Sequence, residues 1–304
     1  MNTNYLLKNE EYGYAEVPLP KKTRFWILIC FNIPAFICAV FLLVNLLIKR
    51  ISRNELHNHV IILVLILTIA IQLIDVNFYI LFAGLGHVWL ANPFFCNLWT
   101  FIATGFFNLL AMLLAWAAIE RHILIFHSIL LNTQKNKIIF HYCPLILIII
   151  YSIIFRIYII FFPPCETFHD YVEPWCGYPC YYGEASLGSY DGIVNYFLPV
   201  FLIIIFNLAL VIRYIRQKQR ANQEFQWRKY RRMILQLLSV SLLLLIFFVP
   251  MVSLLLAHAI GLPAEIGREA ELYLYFFNYF IVFLLPFVYL ASSRDIFKKI
   301  NILS

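Results

Sequence analysis

The stretch PFFCNLWTFIATGFFNLLAMLLAWAAIERHILIF, residues 93–126, decides how the chain is read. It opens near Cys96, runs through an apolar interior and closes on Glu120, Arg121 and His122. A helix needs about 20 mostly apolar residues to cross bilayer hydrocarbon, and this stretch exceeds that length. Outward from it, six more runs qualify: Phe25–Ile48, His59–Ala83, Ile138–Phe162, Gly192–Arg216, Met233–Ala259 and Leu272–Ala291. Their interiors are rich in Leu, Ile, Val and Phe all round, as helices facing lipid should be. Pro34, Pro199, Pro250 and Pro286 lie inside the runs. A bundle tolerates them as kinks, because neighbouring groups satisfy the freed carbonyls.

Composition agrees. Of 304 residues, 63% are hydrophobic and 13% charged, whereas a soluble domain is nearer half apolar and a quarter charged. So much apolar surface requires lipid as its solvent. The expected fold is an all-α membrane protein, a seven-transmembrane-helix bundle over 25–291 with a head at 1–24 and a tail at 292–304. Phe25–Ile48 is too long for a secretory h-region and has no small-residue cleavage site, so it is expected to be the first span and the insertion signal. No internal repeat or Gly/Ser linker divides the bundle.

Basic residues orient it. Of 23 Lys and Arg, 17 fall in 49–58, 121–137, 213–232 and the C-terminal tail, where Glu55, Glu120, Glu224 and Asp295 are the neighbouring acids. The remaining 6 basic residues share the rest of the chain with 12 acidic ones. The first set is expected to be cytoplasmic and the N-terminus extracellular, although Lys21, Lys22 and Arg24 argue the other way. The net charge of +7 is thus an orientation signal and an attraction to anionic inner-leaflet lipid; no nucleic-acid partner is implied. Cys165, Cys176 and Cys180 crowd into Pro163–Asp191 on the same face as Cys96. Disulfides persist outside the cell, and the spacing of these cysteines with His169 fits no common zinc site. Cys30, Cys38 and Cys143 fall in or beside spans.

Three landmarks now combine. Cys96 is followed after 25 residues by Arg121 in Ala118-Ile119-Glu120-Arg121-His122, and preceded by Trp89 at seven. This resembles the rhodopsin-like (class A) G-protein-coupled receptors. There the third-span Cys bonds to the second extracellular loop and the span ends in Asp/Glu-Arg-Tyr. Pro199 resembles the fifth-span proline, Phe247-Phe248-Val249-Pro250 stands where the family has Cys-Trp-x-Pro, and Leu285-Pro286-Phe287-Val288-Tyr289 resembles Asn-Pro-x-x-Tyr. Residues 293–299 look like the short amphipathic helix that follows the seventh span. More narrowly, 57–62, 120–127 and 284–288 look like an orphan receptor group expanded in bdelloid rotifers. The resemblance implies a disulfide from Cys96 to Cys180, which lies 19 residues before Pro199, with Cys176 as the alternative.

The departures are also informative. Thr68 stands where the family's sodium-binding Asp belongs, with Leu110 and Leu285 in place of its polar co-ligands. Asn207 replaces the fifth-span Tyr, and the fourth span lacks the usual Trp. No Lys in Leu272–Ala291 can carry retinal, and Ala103 occupies the position where amine receptors carry an Asp. The resemblance therefore implies a plasma-membrane receptor for a peptide or neutral small molecule, coupled to a heterotrimeric G protein. No cofactor, metal or enzymatic role is expected, since neither HExxH nor GxSxG occurs. The rival class, a transporter or channel, usually shows repeats or intramembrane ionisable groups.

Each motif has a plainer reading. Arg121 could be a snorkelling helix-end arginine, yet it follows Glu120 and stands at the family distance from Cys96. Glu120, Arg121 and His122 are the expected coupling residues. Phe248, Pro250, Pro286 and Tyr289 are the expected activation hinge, against ordinary packing and ordinary kinks. Asp75, Ala103, Phe248 and Tyr279 are the candidate ligand-pocket residues, Asp75 being the acid whose side chain could face a pocket or outer water. His87, His169 and His258 read as solvated residues. In many relatives an inner sixth-span acid restrains the motif's Arg; here the corresponding Tyr230 sits in the basic run Arg228–Arg232. Glu120 is then the one local carboxylate, and appreciable ligand-free signalling is expected.

Overall fold

A computed structural model describes residues 17, 19–48, 56–126, 133–220, 227–263 and 266–292. Seven helices in it are long and apolar enough to cross a membrane, and no strand occurs among the described residues. The first span is Lys21–Ile48. The second is built of Leu56–Leu73 and Asp75–Leu85, joined through Ile74. The third is Pro93–Phe126. In the fourth, Gln134–Lys137 passes through a π-turn at Ile138–Tyr142 into Cys143–Phe161. In the fifth, Ala185–Tyr190 passes through another π-stretch at Asp191–Phe197 into Leu198–Arg220. The sixth and seventh are Trp227–Ile260 and Arg268–Ser292. The protein is a multi-pass membrane protein. The side chains of 228–232 and the whole of 293–304, including the expected amphipathic helix, lie outside the described residues.

The third span is the axis of the bundle. It packs against the second, fourth, fifth and sixth, while the first packs on the second and seventh, and the sixth pairs with the seventh. Its inward residues Leu110, Ala111, Leu113, Leu114 and Ala118 are buried, the small ones allowing close helix approach as lipid-embedded packing requires. Gly86 ends the second span in the left-handed conformation (φ 84°), its N–H returning to the Phe82 carbonyl, a stop that favours glycine because no Cβ intervenes.

The prolines shape the interior in a traceable way. A proline cannot donate to the carbonyl four residues earlier. For Pro199 that carbonyl is Asn195, within the π-stretch, and it accepts instead from Asn108 Nδ2 of the third span. For Pro286 it is Val282, which accepts from Gln72 Nε2 of the second span at 3.0 Å. Each of these two breaks is thus closed by an amide from a neighbouring helix, as a water-free interior demands.

Candidate functional site

One end of the bundle carries both disulfides. Cys96 bonds to Cys176, and Cys165 to Cys180. The expected partner Cys180 is therefore corrected in favour of Cys176. Counting back from Pro199 misled because the fifth span already begins at Ala185, so Cys180 stands just before that helix. There it faces Cys165, which follows the end of the fourth span. Cys176 instead lies over the top of the third span. The loop is held by Val88 N donating to Tyr171 O at 2.8 Å, Asp170 N to Cys176 O at 3.0 Å and Thr100 Oγ1 to Trp175 O at 3.1 Å. Trp175 and Cys176 take positive φ (55° and 60°), followed by Gly177 at 89°. This costly turn, anchored by the disulfide, swings the Trp175 ring into the bundle.

Below it lies a cavity of about 700 Å³, mouth included, walled by spans two, three, five, six and seven and roofed by Trp175, Tyr178 and Tyr182. Asp75, Ala103, Phe248 and Tyr279 all line it. Asp75 begins the second half of the second span, where the break at Ile74 turns it inward, and its side chain is fully buried. Trp99 Nε1 donates to Asp75 Oδ1 at 2.8 Å, while Oδ2 has no hydrogen-bond partner. Trp175 Nε1 and Tyr279 Oη face the same carboxylate but stop short of bonding it.

Beside the cavity a second carboxylate is fully matched. Arg156 of the fourth span grips Asp191 of the fifth through Nη1–Oδ2 at 3.0 Å and Nη2–Oδ1 at 2.8 Å. Tyr181 Oη donates to Oδ2 at 3.1 Å, and Asn195 Nδ2 to Oδ1 at 2.7 Å. Both charged side chains are buried. Burial holds the loop phenols of Tyr181 and Tyr182 well above the usual tyrosine range, so both are neutral.

At the opposite end Glu120, Arg121 and His122 are all buried. The Glu120 carboxylate bonds His141 Nδ1, whose Nε2 lies 2.9 Å from His59 Nδ1. Three spans meet in this chain. Glu120 is therefore not reserved for Arg121, as expected, but shared: it bonds His141 while its charge also acts on Arg121. His122 packs on Phe126 and Phe206.

The profile described as 7 transmembrane receptor (rhodopsin family) matches residues 42–289. The chain belongs to the rhodopsin family of seven-transmembrane receptors. No match was found among curated proteins. In this receptor the family's sodium position is hydrocarbon-like: Thr68 Oγ1 turns back to the Val64 carbonyl at 2.8 Å, and Leu110 and Leu285 are buried beside other apolar groups. Phe248 stands at the cavity and Pro250 one half-turn further, inside the sixth span. Pro286 and the buried Tyr289 follow in the seventh.

Several residues escaped the sequence. Trp175 sits in a loop whose path depends on a disulfide. His141 and His59 lie 82 residues apart with no shared motif. Arg156 and Asp191 did carry a signal, since ionisable groups in or beside apolar runs are expensive unless paired.

Proposed function

We propose that this receptor sits in the plasma membrane with its disulfide-bearing end outside, binds an extracellular ligand in the cavity beneath Trp175, and couples to a heterotrimeric G protein at the Arg121 end. The observation that carries this is the position of Phe248: it forms part of the cavity wall and lies two residues before the Pro250 break in the sixth span. A ligand pressing on Phe248 acts on the helix whose other end borders the coupling face. Such motion belongs to the repertoire of bistable bundles, and the ligand shifts the equilibrium by its differential affinity for the two states. The 17-of-23 split of basic residues supports the orientation.

Nucleotide exchange on Gs, Gi and Gq by the receptor in lipid nanodiscs tests this. Ligand-free exchange above that of empty discs is expected, raised by Glu120→Gln, which weakens the tie to His141, and abolished by Arg121→Ala. Exchange no faster than with empty discs for all three G proteins, from folded receptor, would refute the coupling.

A further inference from the structure

Asp75 is unusual among the buried groups because it is an acid left only half-satisfied. One oxygen holds Trp99 Nε1 and the other has no partner. No basic side chain pairs with it among the described residues: Lys21 and Arg24 reach the same end, but bond the Gly86 carbonyl and the Tyr79 hydroxyl. An ionised carboxylate withdrawn from water without a cation is expensive. The cavity above it contains no Lys, Arg or His, and half of its lining residues are aromatic. The rings pack on one another: Tyr275 is centred 6.2 Å from Trp175, and Tyr79, outside the lining, is centred 5.5 Å from Trp175 and 5.3 Å from Tyr279. Ring faces carry negative potential and attract cations, most strongly when desolvated. The Trp175 and Tyr279 polar edges point towards the carboxylate, which leaves ring surface for the cavity.

We propose that the cavity binds a small organic cation, an amine or quaternary ammonium whose charge rests on the faces of Trp175 and Tyr279 and is balanced by Asp75. This rests on the reading of the cavity as the ligand site and narrows it, because a cation holds the carboxyl ionised and pairs with it, a neutral ligand offers it no charge partner, and an anion meets only repulsion. Ala103 occupies the third-span position where amine receptors carry their acid; here the carboxylate enters from the second span instead. Asp75 lines the cavity yet is closed to water, and a dry interior screens a charge there weakly.

Thermal unfolding of the whole receptor in nanodiscs, titrated with two matched pairs, decides the matter. The pairs are phenethylamine against 2-phenylethanol and choline against 3,3-dimethylbutan-1-ol. At least one cation is expected to raise the melting temperature with an apparent Kd about tenfold or more below that of its neutral twin. Asp75→Asn should erase the difference, and Trp175→Leu, which leaves the Asp75–Trp99 bond in place, should shrink it. Stabilisation by neither cation, equal affinity for the twins, or a preference that survives Asp75→Asn overturns the proposal. Should Asp75→Asn fail to fold, an undiminished preference in Trp175→Leu does so. Cation binding without nucleotide exchange would keep this inference and sink the coupling; exchange without cation preference would do the reverse.

Discussion

Asp191 and Asp75 are two buried carboxylates near the same end of one bundle, and they are treated in opposite ways. Asp191 accepts from Arg156 twice, from Tyr181 and from Asn195. Asp75 accepts from Trp99 alone and leaves an oxygen without a partner. The first arrangement closes its electrostatics within the fold, knitting the fourth span, the fifth span and the loop between them. The second leaves them open towards a cavity. A buried charge that is fully matched stiffens a structure, whereas a half-matched one is poised for something absent from the chain.

The sharpest way to break this comparison is to remove the cation from the closed site. Arg156→Ala leaves Asp191 buried and uncompensated, and should cost about 3–5 kcal/mol, read as a large fall in melting temperature or loss of folded receptor. The double replacement Arg156→Met with Asp191→Leu should recover much of that loss, since both desolvation penalties vanish together. A double variant as unstable as the single one would mean that the pair does more than neutralise itself.

Next in size is a neutral counterpart of the closed site. Gln72→Leu leaves the Val282 carbonyl, freed by Pro286, without its donor, at a cost of about 1 kcal/mol. Unchanged stability in denaturant or heat would show that another group, or water, already serves Val282. At the open site the expectation has the other sign: Asp75→Asn should leave the melting temperature of the unliganded receptor unchanged or raise it. A fall as large as that of Arg156→Ala would erase the distinction between the two carboxylates.

The smallest effect concerns pH. His169, in the loop, has its pKa lowered by burial, and its Nε2 lies 2.9 Å from Asn97 Oδ1. The folded state therefore favours the neutral ring. Its contribution is full above the unfolded value of about 6.5 and is lost as pH falls towards the lower folded value. Melting temperatures measured between pH 7.5 and 5.5 should fall slightly more for the native receptor than for His169→Gln. Identical slopes would remove His169 from the account.

Much of this was legible along the chain. The spans were, because hydrocarbon thickness is a length constraint that any run of residues either meets or fails. Their ends were less so. The first span starts at Lys21 where Phe25 was expected, and the fifth at Ala185 where Gly192 was expected, since polar residues continue a helix into the interface once its core is fixed. Asp75, Ala103, Phe248 and Tyr279 are expected together as pocket residues and do line one cavity, but nothing in the sequence says that Trp175 joins them.

By itself the sequence determined the number of helices, the places where their ladders break, and the costly residues that each helix carries into the interior. Only the tertiary structure decided how those costs are met. It chose Cys176 over Cys180, gave Glu120 to His141, closed the Pro286 break with Gln72 from a helix 210 residues earlier, and left Asp75 half-bonded. The reason is that burial is set by composition, which is local. Hydrogen bonds, ion pairs and disulfides require atoms from distant segments to meet within a few tenths of an ångström, and that is a property of the packed bundle.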